Sequence, residues 1–242
     1  MGHKGFTATA AAVLMIVTPH AQLIAGSSRV KQDKEFTFPK DQPVRILVFR
    51  PDVSAGSLTT GGVQQPNAEW TETARTNLAA AVRSNIAADL GEAVFLGEQD
   101  GENASYVAQY QSLFRAVGGA IVTHKFGGSK LPTKKGKFDW TLGPGAAHLG
   151  EIGGGNYGLF LYTKDNFGTA GRKVLQVFAA LARVNVAAGI HQSYAALVDL
   201  SSGKVVWFNS DLESGGDPRT DEGATKRVGQ LLKTLPGREK QK

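Results

Sequence analysis

The sequence predicts a single α/β (α+β) domain in which a mixed sheet is flanked by helices and the chain finishes in a hairpin and a C-terminal helix. Two patterns predict it. Short β-branched runs alternate with four-residue apolar spacings through the first two thirds of the chain, and later two apolar runs are joined by Ser201-Ser-Gly203. With 242 residues and 41% hydrophobic content, the chain can bury one sizeable core.

Residues 1–26 read as a targeting segment outside that domain. Lys4 precedes the apolar stretch 6–17, and Thr18-Pro19-His20 breaks it. About a dozen apolar residues fall short of the ~20 that span a bilayer, so the pattern predicts a signal peptide for export across a bacterial inner membrane. Small residues at Ala25, Gly26 and Ser27 suit cleavage there. The stretch 23–27 has the form of a bacterial lipobox, with Ser27 where the lipid-bearing Cys would stand. The sequence contains no Cys, which excludes a thioether anchor as well as disulfides and leaves any membrane association to other means. Residues 27–42, polar and mixed in charge, predict an extended linker, 43–237 the domain and 238–242 a charged tail.

Inside the domain, Val44-Arg-Ile-Leu-Val-Phe49, closed by Pro51, predicts a strand. Residues Ser54 to Pro66, rich in Gly, Ser, Thr and Gln, read as a loop. Trp70, Ala74, Leu78, Val82, Ile86 and Leu90 then line one side of a helix that Asn67 would cap and Gly91 would end. Ala93 to Leu96 predicts a second strand. A helix over about Ser105 to Val117 follows, with Tyr106, Tyr110, Leu113, Phe114 and Val117 as its apolar face, and Ala120 to His124 is either a short strand or the end of that helix. A short helix from about Ala146 to Ile152 leads to the clearest central strand, Tyr157 to Tyr162. From Ala170 to about Val186 an amphipathic helix sets Val174, Leu175, Val177, Phe178, Leu181 and Val184 against Arg172, Lys173, Gln176 and Arg183. The hairpin Ser193–Leu200 and Lys204–Asn209, and a helix from Asp221 to Leu235 stopped by Pro236, complete the series.

Chemistry-bearing motifs are sparse. The formal net charge is +6, but Lys125, Lys130, Lys134, Lys135 and Lys137 gather in one Gly/Pro-containing stretch that reads as a solvated loop. Without a basic face interleaved with aromatics, and with export expected, nucleic acid is not an expected partner. His124, His148 and His191 each stand alone, away from metal-ligand spacing, and read as structural or surface residues. No Gly-x-Ser-x-Gly elbow occurs. Gly153-Gly-Gly155-Asn-Tyr-Gly158 matches Gly-x-Gly-x-x-Gly, yet a helix precedes it and a strand follows, the reverse of the order that places a pyrophosphate on a helix N-terminus. The expectation is a protein without metal, cofactor or catalytic residues.

One segment carries two readings. From Thr163 to Lys173 a strand passes through a Gly-containing turn into a helix, so Asp165, Gly171, Arg172 and Lys173 would form an anion or partner site on free amides and two cations. Alternatively Gly168 and Gly171 shape the turn while Asp165 caps or pairs locally.

Ala196-Leu-Val-Asp-Leu-Ser-Ser-Gly-Lys-Val-Val-Trp207 resembles the hairpin of bacterial envelope lipoproteins related to the curli-secretion protein CsgG, the penicillin-binding-protein activator LpoB and the N-terminal domain of TolB. The order of elements before it, the closing Leu231-Leu-Lys-Thr-Leu-Pro236 and the near-lipobox agree with that group, over about Val44 to Pro236. The resemblance implies an anticodon-binding-like domain in the periplasm, peripheral to the outer membrane, that binds other envelope proteins, often oligomerises and has no catalytic residues to carry over. Ser27 departs from the group's pattern. Three functions therefore stand as expectations: an accessory protein presenting an interaction surface, an anion or small-ligand binder or enzyme using the Asp165 to Lys173 turn, and a self-assembling component joined through the helix Val174 to Val186.

Overall fold

The computed structural model describes residues 28–87, 92–211 and 215–238. Its sheet is organised by one strand, β6, which runs Tyr157–Gly168, twice the length that the apolar run Tyr157 to Tyr162 marks. On one side β6 pairs antiparallel with β7 (Ile190–Asp199), and β7 pairs with β8 (Val205–Asp211) as the expected hairpin. On its other side two strands follow one another in parallel: β2 (Arg45–Val48) alongside Tyr157 to Leu159, and β3 (Asp52–Leu58) alongside Tyr162 to Gly168. β5 (Glu92–Phe95) extends the sheet beyond β2, β4 (Gln64–Pro66) pairs with β3, and β1 (Ser28–Gln32) pairs with β8. The product is an open mixed sheet of eight strands, the α/β class that the sequence predicts.

Helices cover both faces. Leu78, Val82 and Ile86 of α1 (Ala68–Ala87) and Val228, Leu231 and Leu232 of α5 (Asp221–Leu232) pack on Ile46, Val48, Leu159, Leu161 and Leu197. Phe114 and Ile121 of α2 (Gly101–Ile121) and Leu149 of α3 (Ala146–Gly153) pack on Leu47, Phe49, Phe160, Tyr194, Ala196 and Phe208. Successive strand residues thus enter opposite cores, which is why these strands appear in the sequence as continuous apolar runs rather than alternating ones. Asn67 caps α1 as expected, its side-chain oxygen accepting from the Trp70 amide at 2.9 Å. The expected stop at Leu90 and Gly91 lies outside the described residues.

Two expectations change, and one that was open between two alternatives is decided. The stretch 27–42 is not a free linker: Ser28 to Gln32 form β1, and Phe36 and Phe38 pack edge-on against Tyr157 at ring separations of 5.8 and 5.0 Å. The outer edge of β8 carries backbone groups that need partners, and a largely polar segment supplies them while Val30 packs on the core. Ser54 to Pro66 is not all loop but holds most of β3 and all of β4. Its side chains are too small and polar to signal a strand, yet Val53, Ala55 and Leu58 point into the core while the ladder to β6 is made by backbone alone. Gly56 permits that close pairing, since a β-carbon there would stand 2.3 Å from the Gln65 carbonyl oxygen. Helix α2 begins at Gly101 and runs into a π-helical turn, Val122–Phe126, so residues 120–124 are helix end and not strand.

The contact between α2 and the sheet has little slack. A β-carbon on Gly118 would lie 2.3 Å from the Tyr194 ring, whose hydroxyl donates to the Arg115 carbonyl at 2.7 Å. Gly119, one residue on, faces open space. Gly118→Ala is expected to lower stability by about 1–3 kcal/mol through overpacking. Gly119→Ala is expected to raise it by up to about 1 kcal/mol through helix propensity. Urea unfolding of the two variants measures the difference.

Candidate functional site

Because β6 continues to Gly168, Asp165 is a strand residue and not part of a turn. It is fully buried and faces α5 and β7. Its Oδ1 accepts from His191 Nδ1 at 2.6 Å and its Oδ2 from Arg227 Nη1, while Arg227 Nη2 donates to the Gly216 carbonyl. Asp165 and Arg227 are 0% and 1% exposed, so this is an ion pair inside the protein. Ser193 Oγ lies 3.4 Å from Arg227 Nη1 and 2.9 Å from Thr163 Oγ1, which adds a hydroxyl pair to the network. Two carbonyl or carboxylate partners around one guanidinium are what a charge needs when water is excluded.

The other residues of the expected site go elsewhere. Helix α4 (Ala170–Leu181) is capped by Thr169, and its Arg172 is buried against carbonyls, with Nε donating to Ala187 at 2.7 Å and Nη1 to Thr59 at 3.1 Å. Gly171 lets the helix approach the β3–β4 turn, where a β-carbon would meet Thr60 Oγ1 at 2.6 Å. Lys173 is exposed and makes no ion pair among the described residues. Asp165, Arg172 and Lys173 therefore do not converge on one point. Lys173 instead borders a pocket of about 380 Å³ at the C-terminal ends of β3 and β6, with Trp70, Phe167, His191 and Arg219. Arg219 is fixed there: it bonds to both oxygens of Asp217 and sits 3.7 Å over the Phe167 ring and 4.4 Å over Trp70. Burial pushes the Asp217 carboxyl up, but the hydrogen bonds from Arg219 outweigh it and hold the group below the ordinary carboxylate range.

Helix α4 itself is turned inside out. Arg172, Gln176 and Ala179, at i, i+4 and i+7, form its inward side, with Gln176 Nε2 donating to the Val186 carbonyl at 2.9 Å. Its apolar side faces solvent: Phe178 is 65% and Leu181 78% exposed, and Val174 and Val177 are exposed with them; the helix stops at Leu181, short of the expected Val186, because the chain turns at Arg183 with φ 58°, so the exposed Val184 lies beyond it. The sequence shows the amphipathic pattern but not which side the sheet takes. Arg227 is a residue that the sequence reading missed. The signal was present, because Arg227 occupies a position on the apolar stripe of α5 formed by Ala224, Val228 and Leu231.

No group of His, Cys, Asp and Glu among the described residues could hold a metal ion, and no described helix is long and apolar enough to cross a membrane. The expected cleavage region at Ala25, Gly26 and Ser27 lies outside the described residues.

What the fold defines is a class, an open mixed sheet with helices on both faces, and two solved structures show a loose likeness to the chain. One is the PelC dodecamer from Paraburkholderia phytofirmans, with a TM-score of 0.38 and 12% identity over 88% of this chain and 99% of that one. Another is the lipoprotein GNA1162 from Neisseria meningitidis, with a TM-score of 0.29 and 16% identity over 69% of this chain and 78% of that one. No family model and no curated protein matches the sequence.

The buried pair gives a test of the network. Asp165→Asn removes the carboxylate to which Arg227 Nη1 and His191 Nδ1 donate and is expected to cost about 3–5 kcal/mol. Replacing both partners, Asp165→Leu with Arg227→Met, is expected to recover part of that loss, since neither member of the pair is then left as a buried charge. Denaturant midpoints of the single and double variants decide it.

Proposed function

We propose that this chain is a cell-envelope accessory protein without catalysis of its own, exported by residues 1–26, whose working surface is the outward face of α4. The observation that carries the reading is the inverted helix: Val174, Val177, Phe178 and Leu181 form an apolar stripe on the outside, while a guanidinium and a carboxamide hold the helix from within. Exposed apolar stripes of this extent mark surfaces that partners cover. The envelope assignment is supported by the leader-like N-terminus and by the resemblance of the hairpin at 196–207 to envelope lipoproteins.

The partner we assign is an envelope protein with an apolar groove edged by acidic side chains. Residues 170–189 contain no Asp or Glu, and Lys173 and Arg183 flank the stripe. A second copy packed helix on helix would set these cations against each other, whereas an acidic rim would steer the partner in and fix its register. Apolar burial supplies the affinity, in the manner of a helix seated in a groove.

A photo-crosslinking residue in place of Leu181, expressed in the source bacterium, should give one adduct whose partner peptide, read by mass spectrometry, carries Asp or Glu beside apolar residues. Phe178→Asp and Arg183→Glu should each abolish the adduct. Phe178→Asp should leave stability within about 0.5 kcal/mol, because that side chain is exposed. Adducts of two copies of the chain, adducts to lipid, or no adduct would sink the proposal.

A further inference from the structure

The lysine-rich stretch that the sequence presents as a solvated loop folds into one wall of a pocket. Lys130, Lys134 and Lys137 come from that loop, His124 and Lys125 from the π turn that ends α2, and Lys31 from β1. These three segments are brought together by the sheet. β1 pairs with β8, and Arg29 Nη1 donates to the Phe126 carbonyl at 3.1 Å, which fixes β1 beside the end of α2. The pocket has a volume of about 290 Å³, Trp140 and Leu131 supply its apolar lining, and no Asp or Glu lines it. It opens into a wider groove of about 590 Å³ that shares Lys31, Lys125 and Lys137 and adds Lys34 and Lys135.

Three acidic side chains, Asp33, Glu35 and Asp139, line that groove and none lines the pocket itself, and Glu35 is within ion-pair distance of no lysine among the described residues, so most of these cations stay unmatched. Asp33 is ion-paired to Lys204, and Asp139 lies 4.0 Å from Lys134. Lys31, Lys125, Lys130 and Lys137 have no carboxylate within ion-pair distance among the described residues. Lys125 donates to the Gly136 carbonyl, which satisfies a hydrogen bond but no charge. Burial, together with the like charges of Lys31, Lys130 and Lys34, holds its amine below the ordinary lysine range. The cluster therefore stores repulsion that an anion would relieve.

We propose that this pocket binds a multiply charged phosphate group, carried either by a soluble polyphosphate or by a phosphorylated lipid headgroup. Five lysines present more charge than one carboxylate can neutralise, and each phosphate brings about −1.5 to −2 with three acceptor oxygens. Lysine ammoniums are compact point charges that suit phosphate without the planar match that arginine would impose. Trp140, with Lys134 4.9 Å over its ring, gives the site an apolar floor that lowers the local dielectric and strengthens the attraction.

Isothermal titration calorimetry of the purified chain with inorganic tripolyphosphate, and flotation with vesicles containing phosphatidic acid, whose headgroup is a phosphomonoester, test it. The expected result is saturable binding at one site that weakens about tenfold or more in the double variant Lys125→Gln with Lys130→Gln. Lys31→Gln, placed on a different element, should weaken it as well, so that a local change in the loop cannot alone account for the loss. Removal of the same charge elsewhere, Lys226→Gln with Lys233→Gln, should leave binding within about twofold. Binding of tripolyphosphate alone identifies a soluble polyphosphate as the source. Vesicle binding that tripolyphosphate competes away identifies a lipid headgroup. Absence of saturable binding to both probes, or an equal loss in the Lys226 and Lys233 variant, overturns the proposal.

Discussion

The backbone of β6, a largely buried strand of 12 residues, needs partners on both sides, and most of the molecule follows from how they are supplied. β7 satisfies one side in a single continuous ladder from Tyr157 to Asn166. The other side is met by two shorter strands, β2 and β3, because Arg50 and Pro51 intervene and proline has no amide hydrogen to give. That interruption divides the sheet. β5 continues it beside β2, while β3 turns through β4 and brings Thr59 and Thr60 to the far end of β6, where Arg172 and Gly171 meet them. The same length carries Asp165 beyond the hydrophobic stretch of β6, into the place where a charge needs Arg227 and His191.

Polar groups set the orientation of α4, although the apolar stripe is its most conspicuous feature in the sequence. A buried guanidinium left without acceptors would cost several kcal/mol, more than the stripe would gain from partial cover. Arg172 finds acceptors in Thr59 and Ala187, and Gln176 finds Val186, so the inward side is satisfied and the apolar side is left outside. The chain after the helix matters here, since both Ala187 and Val186 belong to the return segment leading to β7. A helix held in this way is rigid at its N-terminal end and presents a preformed surface, which lowers the ordering cost of binding.

The elements that can be read from the sequence are those whose side chains carry the signal. The four-residue spacing from Ala74 to Ile86 and the run Val44 to Phe49 fix α1 and β2 because burial and periodicity coincide there. β1, β3 and β4 escape such reading because backbone groups of neighbouring strands, distant in sequence, stabilise them, and Ser, Gly and Gln side chains add little. The candidate site shows the same divide. Asp165, Gly171, Arg172 and Lys173 are close in sequence, and that closeness suggests a shared role. The strand and helix directions nevertheless send them to separate surroundings, and the partners that matter for Asp165 lie 26 and 62 residues away. The lysine stretch is legible as charge but not as a pocket, since Lys31 joins it only through the pairing of β1 with β8.

Two surfaces of this protein are locally unfavourable in the isolated chain: an apolar stripe in water on α4 and a set of unmatched lysines around Trp140. The exposed stripe and the lysine side chains belong to neither core, although Trp140, on which the lysines gather, does. Folding stability therefore gives no reason for either arrangement, and local costs without a structural return are characteristic of sites that bind. The two are built from different elements, α4 in one case and β1, the π turn and the loop after it in the other. Their signs also differ in kind, one calling for apolar cover with an acidic rim and the other for concentrated negative charge. On the two proposals made above, a chain with both would hold an apolar partner surface and a phosphate-bearing ligand through separate contacts.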